Sequence, residues 1–103
     1  MLANTPKPPY YAVIFSSILG NDQAGYEAMA NKMVELAHQQ EGFLGIESAR
    51  QEVGITVSYW QDLEAIKNWK ANAQHKIAQQ LGNDRWYADY RMRIALVDKA
   101  YSK

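Results

Sequence analysis

Residues 43–60, FLGIESARQEVGITVSYW, contain two extended segments separated by a short polar turn. The first segment runs from Phe43 to Arg50, and the second runs from Val53 to Trp60. The second is rich in aromatic and β-branched residues, which favour strands. Because only Gln51-Glu52 lies between them, the two segments are predicted to pair as an antiparallel hairpin. Gly54 is interpreted as a bulge or turn residue of the second strand.

One strand and one helix are predicted before this hairpin. Tyr10 to Ile18 (YYAVIFSSI) is β-branched and aromatic, which is typical of a strand. Gly20 breaks the strand, and Asn21 or Asp22 can cap a helix start. Side chains on one helical face then recur at three- and four-residue spacing: Tyr26, Met29, Ala30, Met33, Ala37 and Gln40. This spacing predicts an amphipathic helix that stops at Gly42.

A second helix and a last strand follow the hairpin. Asp62 is the predicted cap of the helix, Gly82 is its predicted end, and its apolar stripe is Leu63, Ile66, Ala73, Ile77 and Leu81. Asn83 to Ala88 is predicted to be a link, and Tyr90 to Asp98 (YRMRIALVD) the last strand. The order βαββαβ predicts an α+β, ferredoxin-like fold, in which a four-stranded antiparallel sheet carries both helices on one face.

The predicted strands are apolar on both faces. In the first strand Tyr11, Val13 and Phe15 share one parity, while Tyr10, Ala12, Ile14 and Ile18 share the other. A sheet face that meets water should instead carry alternating polar residues. We therefore expect a homodimer in which two sheets pack face to face as an α+β barrel. Tyr59 is expected on the helix side, and Trp60 on the barrel side.

Composition limits the classes of protein that fit. The chain has 103 residues, 48% of them hydrophobic, and its 11 basic and 11 acidic side chains cancel. That length holds one domain, and a neutral chain argues against a dedicated nucleic-acid binder. With no cysteine there is no disulfide framework, thiolate nucleophile or zinc finger. The two histidines lack a nearby acidic partner at a ligand-like spacing, so no metal site is predicted.

The chain is predicted to begin with an arm and to lack membrane or secretion signals. Residues 1–9 hold all three prolines and are predicted to be an extended arm, with the domain covering residues 10–103. No stretch approaches the roughly 20 apolar residues of a membrane span, and no membrane partner is expected. The N-terminus does not look like a secretory signal, so the expected location is cytoplasmic.

Several short motifs follow one another in an order that points to a family. They are Gly42-Phe43-Leu44-Gly45, Ser58-Tyr59-Trp60, Leu63-Glu64-Ala65-Ile66, Trp69, His75, Gly82 and Arg85-Trp86-Tyr87-Ala88-Asp89-Tyr90. Together they resemble the antibiotic biosynthesis monooxygenase (ABM) domain family. The resemblance implies a dimeric α+β barrel, in agreement with the apolar strand faces. It also implies a monooxygenase that acts on a phenol, quinol or anthrone, with molecular oxygen as co-substrate and no cofactor.

Two other functions stay open. Some ABM-like proteins degrade haem with an Asn on the first strand and a Trp and an iron-ligating His on the second helix. Here Ser16 and Ser17 stand near the Asn position, and Gln79 stands where the ligand is expected. Haem is therefore the disfavoured cofactor alternative. The other function is a non-catalytic dimer that binds a small ligand or serves a structural role.

The candidate site residues combine aromatic walls with a few polar groups, as oxygen chemistry on a phenolate needs. His75 and Tyr90 are the predicted catalytic residues, because either could polarise a substrate oxygen. The predicted substrate-binding residues are Trp69, Trp86, Tyr87 and Ser16.

Each candidate also has a purely structural interpretation. On an unbroken helix His75 lies nearly opposite the apolar stripe, which favours solvent. Trp69 flanks that stripe and could simply pack. Trp86, Tyr87 and Tyr90 form either an aromatic plug over the core or a pocket rim.

Overall fold

In the computed structural model, two helices lie on one face of a four-stranded antiparallel sheet. The structure describes residues 2–79 and 86–103, with side chains as far as residue 74 and again from residue 86. The elements are β1 (Tyr10–Leu19), α1 (Tyr26–His38), β2 (Phe43–Arg50), β3 (Gly54–Trp60), α2 (Leu63–Gln79) and β4 (Tyr87–Val97). The strand order is β2-β3-β1-β4. The predicted ferredoxin-like fold is confirmed.

Two local signals fix the helix positions. Asp62, the predicted cap, accepts a hydrogen bond at 2.8 Å from the Ala65 backbone N–H, which satisfies one free donor of the first turn of α2. Before α1 the Asp22 carboxylate accepts a bond at 3.2 Å from the Ala24 N–H, but the helix is capped by Gly25, in a left-handed conformation and without a side-chain hydrogen bond, so the predicted cap at Asn21 or Asp22 is wrong. The predicted end of α2 at Gly82 lies outside the described residues. Neither helix in the described part is long and apolar enough to cross a membrane.

The core lies between the helices and one face of the sheet. It is built from Val13, Ala37, Trp60, Ala65 and Ile66. The Trp60 side chain is fully buried, stacks on Trp69 with ring centroids 5.6 Å apart, and donates its N–H to the Ser58 hydroxyl at 2.9 Å. Burying the largest ring here removes the most apolar area from water.

The expected placement of Trp60 on the barrel side is therefore wrong. Trp60 pairs with Tyr11, which shares a face with Val13, so Trp60 lies under the helices. Tyr59 lies on the opposite face, beside Ala12. Alternation correctly separates the two neighbours, but it does not say which of the two sheet faces the helices cover.

The sheet face away from the helices, hereafter the open face, is partly covered by residues 2–9. The Glu47 carboxylate accepts hydrogen bonds from the Ala3 N–H at 2.9 Å and from the Tyr59 hydroxyl at 2.6 Å. Thr5 and Tyr10 share a hydrogen bond at 2.8 Å, and Tyr10 is buried. The arm thus covers the β2 side of the open face, while Ile55 on β3 remains 45% exposed.

Among the described residues, no helix covers the helix-side face of β4. Each β4 residue faces the same side as the β1 residue with which it pairs. The β4 residues that pair with Ser17, Phe15, Val13 and Tyr11, on the helix side, are Tyr90, Met92, Ile94 and Leu96. Each is about half exposed. The helices contact β2 and β3, whereas the main contacts of β4 are with β1. An apolar strip therefore runs along the edge of the sheet beside the helices.

Candidate functional site

Four rings meet where β1 ends and β4 begins, and we call them the aromatic cluster: Phe15, Tyr26, Tyr87 and Tyr90. The ring of Phe15 lies 5.3 Å from that of Tyr87 and 5.5 Å from that of Tyr90, between centroids. The Tyr26 and Tyr87 rings are 5.8 Å apart and nearly perpendicular, and Tyr87 and Tyr90 are 6.0 Å apart. Such edge-to-face packing is the geometry that aromatic pairs prefer.

An irregularity in β4 brings two of these rings to one face. Asp89 pairs with Ile18, but the next β1 residue, Leu19, pairs with Tyr87, so Ala88 is an extra residue. Without it, Tyr87 and Tyr90 would point to opposite faces because they are three residues apart. The bulge directs both phenols to the helix side. The strand begins three residues before its predicted start because this pairing extends it.

Trp86 packs against one ring of the cluster, Tyr26. Its indole is buried, and its N–H donates to the Ala24 carbonyl oxygen at 2.8 Å. Its backbone carbonyl accepts a bond from the Gly20 N–H at 2.7 Å, and its ring meets Tyr26 edge-on at 6.1 Å. The turn before α1 is thereby fixed against the start of β4. The polar group of Trp86 is used within the chain, and its ring holds Tyr26 in place.

Arg50 reaches the cluster from β2, two strands away on the same face of the sheet. Its guanidinium crosses β3 at Gly54 and donates to the Ser17 hydroxyl at 2.5 Å and the Ser17 carbonyl oxygen at 3.3 Å. It also lies 3.5 Å from the Tyr26 hydroxyl and 5.7 Å from the centre of that ring. A Cβ on Gly54 would overlap the guanidinium, so the glycine is what leaves room for this side chain. Gly54 opens β3 and is not a bulge.

The electrostatics of the cluster keep one phenol protonated. Burial raises the pKa of the Tyr87 phenol well above its usual range, and the hydrogen bond and potential charge of Tyr26 act in the same direction. The positive charge of Arg50 opposes them in part and lowers this pKa. At neutral pH Tyr87 is therefore a hydrogen-bond donor rather than a base.

The other predicted site residues lie apart from the cluster or outside the described side chains. Ser16 pairs with Ile55 and Arg91 on the open face, whereas its neighbour Ser17 is buried on the cluster side. Trp69 stacks on Trp60 at the Tyr11 end of β1, about 20 Å along the strand from Ser17 at ~3.4 Å per residue. His75 lies in α2, but its side chain is outside the described part of the chain.

Arg50 and Ser17 were missed because their meeting depends on strand register. Arg50 pairs with Gly54, and Gly54 pairs with Ser17, so three neighbouring strands place them in one row. The sequence feature that could have indicated this contact is an arginine and a glycine on opposite sides of the hairpin turn. A long side chain opposite a glycine in a hairpin has free space across the partner strand.

The aromatic cluster is exposed to solvent and is not enclosed in a cavity. Tyr90 is 54% exposed, and the apolar strip of β4 continues from it. One depression of about 230 Å³ lies elsewhere, along α1, and is lined by Lys32, Met33, Glu35, Leu36 and Gln39. Among the described residues no group of three or more His, Asp or Glu side chains is placed to hold a metal ion.

Comparison with known proteins assigns the family. Residues 9–81 match the antibiotic biosynthesis monooxygenase (ABM) family model, and the chain belongs to this family. The uncharacterized protein YqjZ of Bacillus subtilis (strain 168) is 48% identical over 100 residues, covering 95% of this chain and 88% of that protein. The jasmonate monooxygenase ABM of Pyricularia oryzae is 33% identical over 43 residues, 42% of this chain and 20% of that protein.

Solved structures share the fold. SnoaB from Streptomyces nogalater, a cofactor-independent oxygenase, superimposes with a TM-score of 0.71 at 12% identity, covering 91% of this chain and 98% of that chain. At this identity the likeness is one of fold.

Proposed function

We propose that this protein is a monooxygenase of a small aromatic substrate, such as a phenol, quinol or anthrone, and that it uses molecular oxygen without a cofactor. The observation that carries the proposal is the aromatic cluster, where a half-buried, protonated Tyr87 and the exposed Tyr90 face the same side beside Phe15. Family membership and the fold shared with a cofactor-independent oxygenase support it.

The proposed reaction needs only a base and hydrogen-bond donors from the protein. His75 removes a proton from the reactive carbon, and Tyr90 donates a hydrogen bond to the substrate oxygen that takes up the negative charge. Tyr87 donates a second one when its hydroxyl turns from Tyr26 to the substrate. The electron-rich carbon then reduces O₂ and forms a C–O bond. Loss of the second proton and cleavage of the O–O bond release water. An anthrone methylene would thus become a carbonyl, with the second oxygen atom leaving in the water.

An apolar wall completes the proposed site. Phe15 and the apolar strip of β4 form the wall on which a flat ring stacks, and Trp86 holds the neighbouring Tyr26 in position. Trp69 and Ser16 stay sequence predictions as binding residues.

The test is enzyme-dependent oxygen uptake. The purified protein, treated with a chelator and free of flavin, is given an anthrone or a naphthoquinol while dissolved oxygen and product mass are followed. Tyr87→Phe is expected to lower kcat by about 10²-fold, since one oxyanion donor contributes on that order. Tyr59→Phe, on the open face, is the matched control and should leave turnover unchanged. Equal rates for the wild type and Tyr87→Phe would contradict the role given to Tyr87.

One observation favours a second candidate, a dimer that binds a small ligand without catalysis. The aromatic cluster is exposed to solvent, and the depression of about 230 Å³ along α1 is smaller than the roughly 300 Å³ of ordinary ligand pockets. Ligand-dependent thermal stabilisation without oxygen uptake would favour this function. A Soret shift on titration with haemin would instead favour a haem-binding relative.

We also propose a homodimer formed through the open face. Ile55 and Ile18 remain 45% and 46% exposed there, beyond the part that residues 2–9 cover. A second sheet packed on these residues would remove them from water.

A further inference from the structure

Within the part of the chain that the structure describes, the Arg50 guanidinium has no acidic partner. Arg91 pairs with Asp89 at 2.5 Å on the opposite face. Within residues 2–74 and 86–103, the Arg50 guanidinium contacts only the hydroxyl and carbonyl oxygens of Ser17 and the hydroxyl and ring of Tyr26. Its charge is therefore held at the cluster without being neutralised there.

The guanidinium also has unused donors. It carries five N–H groups in a planar fork. Two bonds to Ser17 and one to Tyr26 use three of them, which leaves two for a ligand. Charge-assisted bonds from such a fork to an anionic oxygen are among the strongest in proteins.

The neighbours of the guanidinium suit an aromatic ligand. Tyr26 contacts both Arg50 and Tyr87, and Tyr87 contacts Phe15 and Tyr90. A ring that packs on these side chains has its substituents within reach of the fork. The site therefore combines a cation with an apolar wall, which is the chemistry that recognises an aromatic anion.

We infer that Arg50 is the anion-binding residue of this site, and that the aromatic ligand is bound as a carboxylate or phenolate whose oxygen pairs with the guanidinium. This inference rests on the proposed function and adds the charge of the substrate and a residue that selects it. Gly54 has a part in it as well, because its missing side chain provides the path by which Arg50 reaches the cluster.

The experiment compares two probes of the same shape, 2-naphthoate and 2-naphthamide, by isothermal titration calorimetry. The wild type is expected to bind the carboxylate at least tenfold more tightly than the amide. Arg50→Gln should remove that preference while leaving the amide affinity unchanged. Arg50→Lys should retain part of it, because the charge remains but the fork is lost. Arg93→Gln, an exposed arginine on the open face, is the matched control and should behave as the wild type.

A second variant tests the geometry without removing the charge. Gly54→Ala places a methyl group where the guanidinium lies, and this flexible end can move aside without unfolding the chain. The expected result is the same loss of preference for the carboxylate, with a thermal unfolding midpoint close to that of the wild type.

The outcomes separate this inference from the proposed function. Equal affinity for the two probes in the wild type, or no binding of either, would overturn the anion-binding role of Arg50, and so would an equal loss of both in Arg50→Gln. Oxygen uptake with a neutral aromatic substrate would still support the monooxygenase. Carboxylate selectivity without oxygen uptake would leave Arg50 as assigned and remove the proposed catalysis.

Discussion

Gly42 occupies a position that fits no larger residue. Its φ of +86° is in the left-handed region, and a Cβ there would lie 2.7 Å from the Ala65 Cβ. Its carbonyl oxygen accepts a bond from the Gln61 N–H at 2.8 Å, so the chain entering β2 is fixed against the start of α2. The glycine thus serves as a point of close approach between two elements. It is not the end of the first helix, because α1 ends at His38, before the predicted stop at Gly42.

Substitution of Gly42 should cost more than substitution of Gly25, which has a similar φ of +79°. Gly25→Ala meets only the Trp86 ring at 3.9 Å, so its cost is the conformational one of about 1 kcal/mol. Gly42→Ala adds an overlap with Ala65, for about 3 kcal/mol in total. Urea unfolding of both variants measures the difference. Equal free energies of unfolding would contradict the close approach.

The face of the sheet on which each side chain lies was the hardest feature to predict from the sequence. Strand alternation separates Tyr59 from Trp60, and Ser16 from Ser17, but the choice of face depends on which side the helices cover. Trp60 was assigned to the wrong side for this reason. The row of Arg50, Gly54 and Ser17 needs the register of three strands, which depends on backbone pairing that residue types alone do not specify.

At the scale of elements, the order of strands and helices could be predicted because periodicity and breakers are local. Asp62 was identified as a cap from its type and position, and the structure confirms its bond to Ala65. The bulge at Ala88 could not be predicted, since it depends on how β4 pairs with β1. It is also the feature that puts Tyr87 and Tyr90 on one face, so the site depends on the least predictable part of the strand.

The contact between residues 2–9 and the sheet should depend on pH through Glu47. Hydrogen bonds from Tyr59 and from the Ala3 N–H lower the pKa of the Glu47 carboxyl below its ordinary value. A lowered pKa in the folded state means that the contribution to stability is present above about pH 4.5 and is lost as the pH falls through the folded-state value. Burial, and in second place the Tyr59–Glu47 hydrogen bond, raise the pKa of Tyr59 to about 12.

Glu47→Gln should therefore destabilise the protein by about 1 kcal/mol at pH 7, since solvent reaches this carboxylate. The difference from the wild type should shrink towards zero at pH 3. Chemical denaturation at both pH values measures it, with Glu52→Gln in the exposed turn as control. A difference that is the same at both pH values would show that the carboxylate charge does not hold the arm.

At the scale of the whole molecule, the open face is divided between two uses. Residues 2–9 cover β2 and contact Tyr10 at the start of β1, where Tyr10 and Ala12 are buried, and the opposite end of the β1–β3 pair exposes Ile18 and Ile55. The apolar character of both strand faces was evident from the sequence. That the arm of the same chain would take up part of the second face was not, because an extended, proline-containing segment carries no periodic signal of what it contacts.

Ile55→Glu should convert the proposed dimer into a folded monomer. A charge at this position would be buried without a partner between two sheets, which is strongly unfavourable. Sedimentation velocity at micromolar concentration measures the change, and Leu63→Glu on the exposed side of α2 is the control. A wild type that sediments as a monomer would contradict the dimer, and so would an unchanged coefficient for Ile55→Glu.

The crossing of Arg50 over Gly54 has a consequence for the evolution of this site. The two positions share one volume, so they cannot vary independently. In relatives where a bulkier residue replaces the glycine, selection on the arginine should be relaxed, and a short or uncharged residue should be free to appear there. Paired loss of the two, with the tyrosines of β4 retained, would mark branches of the family whose ligands carry no negative charge.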